Sequence, residues 1–124
     1  MDARKLKKDY KIYYKKAVEE VLEHSQIILC TTTTAGDKLL KRFYESAAHY
    51  KRPFDVCIID EAAQATEPSS WIPIIYARKL ILAGDHKQLE PTIKSLEASI
   101  GGLSVTLFER MIKSYPYAAV MLNV

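Results

Sequence analysis

The chain has 124 residues, of which 48% are hydrophobic and 27% charged, and its formal net charge is +3. This length suits one ordinary domain with a core of its own and is too short for a complete two-domain motor. The sequence contains no run of 18 apolar residues, and its charged beginning lacks the apolar stretch of a signal peptide. We therefore expect an intracellular protein of the cytoplasm or nucleus, without membrane contact, whose Cys30 and Cys57 are buried, reduced thiols.

The first predicted element is a basic amphipathic helix over residues 1–24. Residues 1–16 carry a charge of +5, so the rest of the chain sums to −2. Apolar and aromatic residues recur at spacings of three and four, as a stripe of Leu6, Tyr10, Tyr13, Ala17 and Val21. Two interpretations stay open. Either the lysines face nucleic-acid phosphates while Tyr14 stacks on bases, or the charged face is solvated and the tyrosines pack on a neighbouring element.

Four short apolar runs follow along the chain: Gln26–Thr31, Asp55–Asp60, Lys79–Ala83 and Ala118–Leu122. None of them alternates apolar with polar residues, which favours strands of a parallel sheet covered by helices on both faces.

Helices are predicted between these runs, over Asp37–Tyr50, Trp71–Tyr76 and Ser104–Tyr115. Asp37 is expected to cap the first of them, and Ser69 or Ser70 to cap the second, with Pro73 in its first turn. The alternation of strands and helices indicates an α/β fold, in which a partial parallel sheet is flanked by helices.

Two of the predicted strands end in carboxylates. Asp60 and Glu61 follow one strand directly, and Asp85 follows Gly84 after the next. Ligands of open parallel sheets bind beyond the carboxyl ends of the strands. Four apolar residues followed by Asp-Glu have the form of a Walker B strand, in which the first carboxylate can hold Mg²⁺ and the second can orient or deprotonate water.

The second acidic segment offers further polar groups. The amide of Gln88 can donate to a γ-phosphate while its carbonyl accepts another hydrogen bond, which suits a sensor of that phosphate. His86 is either a metal ligand or base, or simply a packing residue of the loop.

The segment Asp60–Glu67, with the sequence DEAAQATE, resembles motif II of superfamily 1 helicases, and Gly84–Thr92, GDHKQLEPT, resembles their motif III. Residues 28–34, ILCTTTT, are similar to motif Ic of superfamily 1B, the branch of the nonsense-transcript regulator and immunoglobulin mu-binding helicases. The resemblance covers about residues 25–124. It implies that residues 1–124 form part of a first RecA-like motor domain, with residues 1–24 as its basic helix.

The resemblance also implies an activity, namely ATP-driven, 5′-to-3′ translocation on single-stranded RNA or DNA with Mg²⁺ as cofactor. By position, Asp60 would hold Mg²⁺ and Glu61 would activate water. Gln88 would contact the γ-phosphate, and Asp85 would couple its loss to domain movement. The hydroxyls of Thr31, Thr32, Thr33 and Thr34 would approach the nucleic-acid backbone, unless these residues merely finish a strand. Gln64 either couples motif II to motif III or simply packs.

Two departures from the family pattern limit this expectation. No GxxxxGK[ST] loop occurs, and the chain stops before the glutamine-tyrosine-arginine motif and the second RecA-like domain. The first of these motifs forms the P-loop, which surrounds the phosphates of the nucleotide. Without it, we expect the chain alone to be inactive. Its implied partners are therefore the P-loop segment and the second domain. A sheet without its P-loop strand also predicts marginal stability or self-association.

Two further interpretations belong to other functional classes. One is a non-catalytic nucleic-acid-binding or protein-binding module derived from a helicase, which would use the basic helix. The other is a magnesium-dependent nuclease built on Asp55, Asp60, Glu61 and Asp85.

Overall fold

The computed structural model describes residues 3–46, 54–85, 87 and 89–122. The chain divides into two compact units, Met1–Lys51 and Arg52–Val124. Each unit is described by itself below.

The first unit consists mainly of two helices. Helix α1 spans Ala3–His24, as its periodicity predicts, and helix α2 spans Lys38–Ser46 and contacts α1. Asp37 caps α2, because its Oδ1 accepts a hydrogen bond from the Leu39 backbone N–H at 2.8 Å. The cap predicted from the sequence is therefore confirmed. The predicted continuation of α2 over residues 47–50 lies outside the described residues.

The strand predicted at Gln26–Thr31 is wrong. Residues 27–31 have no regular secondary structure, and Ile27 and Leu29 are 78% and 91% exposed. A strand requires a neighbouring strand to accept and donate its backbone hydrogen bonds, and residues 3–46 supply none to this run. Cys30 is exposed rather than buried, Cys57 is half-buried, and neither forms a disulfide bond among the described residues.

The second unit is built on two parallel strands. Strand β1 spans Phe54–Ile59 and strand β2 spans Ala77–Leu82, in a register that pairs Phe54 with Ala77 and Ile59 with Leu82. Helix α3, Glu67–Ile74, connects them and contacts both strands. This β-α-β arrangement confirms the predicted α/β fold, a partial RecA-like parallel sheet with flanking helices.

Helix α3 begins four residues before its predicted start. Thr66 is at the N-cap position and Pro68 lies in the first turn, where the lost N–H costs nothing. The predicted caps Ser69 and Ser70 lie inside the helix instead. Their hydroxyls donate to the Thr66 carbonyl at 2.8 and 3.3 Å.

Short helical turns follow β2, namely helix α4 over Leu96–Ala98 and a π-helical turn over Ser99–Leu103, and then helix α5 spans Leu107–Ser114. Thr106 caps α5 by accepting from the Glu109 backbone N–H at 3.1 Å, so this helix is shorter than predicted. The strand predicted at Ala118–Leu122 is wrong. Pro116–Ala118 form a 3₁₀ turn, residues 119–122 are irregular, and Val120 and Leu122 are exposed.

The core of the second unit lies where β1 ends. Ile59, Ala62, Ala63 and Leu107 are all at most 5% exposed. Helix α5, which carries Leu107, contacts the 3₁₀ turn Ala62–Gln64 that follows β1. The best-packed part of this unit therefore supports the segment in which the sequence places motif II. In the described part of the chain, no helix is both long and apolar enough to cross a membrane.

Candidate functional site

The ends of the two strands are joined by backbone hydrogen bonds. Because Ile59 and Leu82 are register partners, the segments that follow them leave the same edge of the sheet. The Ala83 N–H donates to the Ile59 carbonyl at 2.9 Å, and the Ala62 N–H donates to the Ala83 carbonyl at 2.8 Å. The two acidic segments predicted from the sequence are thus brought together at the carboxyl edge, where parallel sheets bind ligands.

Glu61 has an unusual backbone conformation. Its φ of 50° and ψ of 40° are left-handed, and among the described residues it is the one residue other than glycine with a positive φ. An L-residue in this region costs on the order of 1–3 kcal/mol, and such strain concentrates at functional sites. The conformation turns the chain sharply from β1 into the buried turn Ala62–Gln64 and leaves the Glu61 side chain exposed.

The carboxylates of motif II have local hydrogen-bond partners. Asp60 Oδ1 accepts from the Glu61 backbone N–H at 3.0 Å, and Glu61 Oε2 accepts from Gln64 Nε2 at 3.2 Å. Gln64, whose role the sequence leaves open, therefore restrains the side chain that resembles the water-activating glutamate. The 3₁₀ turn makes this contact possible, because it brings residues three positions apart to the same side of the backbone.

Gly84 lets the segment after β2 lie directly on the segment after β1. Its φ is +151°, and a Cβ added there would lie 3.1 Å from the Ala62 nitrogen and 3.5 Å from the Glu61 carbonyl carbon. Beyond it, Asp85 Oδ1 accepts from the Lys87 backbone N–H at 2.9 Å, which folds this segment into a turn. Gln88 and His86 lie outside the described residues, so their roles stay predictions.

The carboxylate that the sequence assigns to magnesium, Asp60, lies at the end of β1 and is exposed. Among the described residues, no group of three or more His, Cys, Asp or Glu side chains could hold a metal ion. Mg²⁺ is commonly held by one or two carboxylates together with water and substrate phosphates, so the exposed Asp60 at the strand end fits that role.

The four-carboxylate set of the nuclease interpretation is not assembled. Asp55 lies at the opposite end of β1 from Asp60, a separation of about 16 Å at the usual rise per residue. Its carboxylate pairs with Arg78 Nη1 at 3.6 Å. Asp55 therefore cannot share a metal ion with Asp60, and this interpretation is wrong.

Side-chain hydrogen bonds connect helix α3 with helix α5, and the sequence did not predict them. Glu67 accepts hydrogen bonds from two nitrogens of Arg110, with Nε at 2.9 Å, and from Trp71 Nε1 at 3.1 Å. Arg110 holds the pKa of the Glu67 carboxyl below its ordinary range, with a smaller contribution from Trp71, and Glu67 raises the pKa of Arg110. These residues line an open groove of about 800 Å³ that also includes Pro68 and Leu103. The network braces the motif II turn, since α5 contacts that turn.

The four threonines of the first unit form a turn. Thr31 Oγ1 lies 2.8 Å from Thr34 Oγ1 and accepts from the Thr34 backbone N–H at 3.1 Å. The alternative that they finish a strand is wrong, because residues 3–30, as the structure describes them, contain no strand before the threonines. Thr31, Thr33 and Thr34 are exposed and Thr32 is half-buried, so a contact with a nucleic-acid backbone stays a prediction.

The chain is similar in sequence to one protein family model and to several proteins whose names are known. Residues 1–96 match the family described as the AAA domain. The chain is 44% identical over 109 residues, 88% of its length, to an uncharacterized ATP-dependent helicase of Methanocaldococcus jannaschii. It is 41% identical over 119 residues, 93% of its length, to the DNA-binding protein SMUBP-2 of Rattus norvegicus. Over 107 residues, 86% of its length, it is 36% identical to a regulator of nonsense transcripts 1 homolog of Neurospora crassa.

The chain spans only a small part of these relatives, between 9% and 15% of their length. The family match ends at residue 96 and therefore includes both acidic segments. Each of the three alignments covers more than four fifths of the chain. The chain belongs to the AAA domain family, as a segment of the superfamily 1B helicase type.

Proposed function

We propose that this chain is part of the first RecA-like motor domain of an ATP-dependent helicase that moves 5′ to 3′ on single-stranded RNA or DNA. Within that domain it supplies the Walker B side of the ATP site and the segment that senses the γ-phosphate. The observation that carries the proposal is the left-handed Glu61, which lies two residues after the end of the parallel strand β1. Glycine would adopt this left-handed conformation with less strain. The presence of glutamate therefore favours a functional role for the side chain at this position.

Each residue of the site has a separate part in this proposal. Asp60 would hold Mg²⁺, which when bound would neutralise negative charge on the nucleotide phosphates. Glu61 orients the attacking water and accepts its proton, while Gln64 fixes the direction of the Glu61 carboxylate through their 3.2 Å hydrogen bond. Asp85 and Gln88, on the segment after β2, respond to the γ-phosphate, and the threonine turn contacts the nucleic-acid backbone.

ATP turnover in this scheme belongs to the longer protein, and these 124 residues alone hydrolyse no ATP. The phosphate-cradling loop is not in the sequence, so we propose the P-loop segment and the second RecA-like domain as the partners that complete the site. Because ATP and nucleic acids are found inside the cell, the proposed place of action is the cytoplasm or the nucleus.

The test is a chimera in which this chain replaces the aligned 109 residues of the Methanocaldococcus jannaschii helicase. We expect the chimera to hydrolyse ATP in the presence of single-stranded nucleic acid. Glu61→Gln keeps the size and the hydrogen-bonding reach of the side chain but removes the base, so it should lower turnover by about 10²–10⁴-fold. The isolated chain should show no turnover above background.

Glu97→Gln is the matched control, since Glu97 is an exposed glutamate of the same unit, on α4. It should leave the turnover of the chimera unchanged. A Glu61→Gln chimera with full turnover would refute the role of Glu61. A chimera that folds but never hydrolyses ATP would instead favour the non-catalytic binding module.

A further inference from the structure

Helix α1 carries a compact group of aromatic and basic side chains that the ATP site does not use. Lys7, Tyr10, Lys11 and Tyr14 are spaced at three and four residues, so they share one face of the helix, and Lys8 lies beside Lys11. All five side chains are exposed, including Tyr10 at 66% and Tyr14 at 53%. These five residues are called the Tyr–Lys face below.

The two tyrosines are already arranged as a platform. Their rings are stacked, with centroids 6.0 Å apart and an angle of 25° between the ring planes. Exposed, roughly parallel rings next to positive charge are the usual ingredients of a surface for unpaired bases. Base stacking on aromatic rings tolerates any sequence, and lysines follow the phosphates between the bases.

The charge of this face is nearly uncompensated. Asp9 is the one carboxylate described between Ala3 and Tyr14, and its position, one residue after Lys8 and two before Lys11, directs it to another side of the helix. Further along α1, Lys15 Nζ pairs with Glu19 Oε1 at 3.3 Å, so the Glu19 carboxylate already has a partner beyond Tyr14. An apolar helix packed here would have to bury the ammonium groups of Lys7 and Lys11 without partners, which is costly. Phosphates would pair with them instead.

We infer that the Tyr–Lys face binds single-stranded nucleic acid, with bases stacked on Tyr10 and Tyr14 and phosphates held by Lys7, Lys8 and Lys11. The inference rests on the proposed function only for the choice of nucleic acid as the partner. It requires no nucleotide, so it can be tested without ATP and separately from turnover.

The test measures binding of the 124-residue chain to a fluorescein-labelled single-stranded oligonucleotide of mixed sequence, by anisotropy over a series of salt concentrations. Replacing Lys7, Lys8 and Lys11 with Gln preserves helix propensity and removes three cations. Single-strand binding loses a logarithmic salt slope of about 0.7 for each phosphate contact. The triple variant should therefore bind more weakly, with a slope smaller by about 2.

The control removes the same charge elsewhere, through Gln at three exposed lysines of the second unit, Lys79, Lys94 and Lys113. This variant should keep the slope of the original chain. Tyr10→Leu with Tyr14→Leu retains apolar surface and helix propensity but removes the rings, and it should weaken binding about tenfold or more. Circular dichroism checks that α1 is still helical in each variant.

Three results would overturn the inference. The first is an unchanged slope in the Lys7, Lys8 and Lys11 variant, or an equal loss of slope in the lysine control. The second is full affinity in the double leucine variant, since a leucine surface can pack on protein but cannot stack on bases. The third is loss of self-association in the face variants with unchanged oligonucleotide binding, which would make the Tyr–Lys face a contact between copies of the chain.

Discussion

Gly84 is the residue on which the approach of the two acidic segments depends. Its backbone lies in a region that L side chains rarely adopt, and an added Cβ would press on the Ala62 nitrogen at 3.1 Å. Ala62 cannot move away without a loss of stability, because it is buried and its backbone N–H donates a hydrogen bond to the Ala83 carbonyl.

We therefore expect Gly84→Ala to lower the free energy of unfolding of the second unit by about 1–3 kcal/mol. Urea unfolding followed by fluorescence of the single tryptophan, Trp71, measures the change. Gly101→Ala is the control, because nothing lies within 4 Å of its added Cβ and its φ is not positive. It should leave stability unchanged or raise it by up to about 1 kcal/mol. Equal effects of the two substitutions would contradict the close approach at Gly84.

At the same scale, the sequence located Asp60, Glu61 and Asp85 correctly at strand ends, because an apolar run that stops at a carboxylate identifies the edge of a sheet. It could not reveal the left-handed φ of Glu61 or the hydrogen bond from Gln64, since both depend on the path of the turn. Nor did it reveal Arg110 as the partner of Glu67. These residues are 43 positions apart, and no local periodicity connects them.

At the scale of elements, the link between α3 and α5 is electrostatic and should depend on pH. The pKa of Glu67 is lowered from its ordinary value of 4.5, chiefly by the hydrogen bonds from Arg110. A carboxyl group whose pKa is lowered by folding stabilises the folded state above its unfolded pKa, and this contribution is lost as the pH falls through the folded value.

Glu67→Gln should therefore destabilise the second unit at neutral pH, with a difference from the original chain that shrinks below about pH 4.5. Thermal unfolding of both proteins from neutral to acidic pH, followed by Trp71 fluorescence, measures this difference. Glu97→Gln provides the comparison, because Glu97 lies on an exposed turn. A Glu67→Gln difference that stayed constant over the whole pH range would mean that Arg110 does not hold an ionised carboxylate.

The elements also show how far an apolar run predicts a strand. The runs that became β1 and β2 lie on either side of a short helix, which lets them pair as a β-α-β unit. The runs at Gln26–Thr31 and Ala118–Leu122 are equally apolar, yet they have no paired neighbour in the described residues. An apolar composition indicates only that a segment can be buried. A strand also needs a neighbouring strand that forms backbone hydrogen bonds with it, and the composition of the segment does not identify that neighbour. The helices were predicted more reliably, because their hydrogen bonds are internal.

At the scale of the whole molecule, the two-stranded sheet leaves apolar side chains uncovered. Ile58 and Ile81 are register partners on one face and are 66% and 51% exposed, and Val56 on the same face is 42% exposed. A parallel sheet is normally covered on both faces. Adjacent exposed side chains of this kind are a surface on which copies of the chain can associate.

We expect the isolated chain to self-associate, and Ile58→Thr with Ile81→Thr to raise the apparent dissociation constant about tenfold or more. Threonine keeps the strand propensity while it removes apolar surface from the contact. Sedimentation velocity over a range of concentrations measures the effect. Ile100→Thr changes an equally large side chain that is 79% exposed and lies on the π-helical turn rather than on a strand, and it should leave association unchanged. An original chain that stayed monomeric at high concentration would show that the sheet face is protected, and equal effects of both changes would place the contact elsewhere.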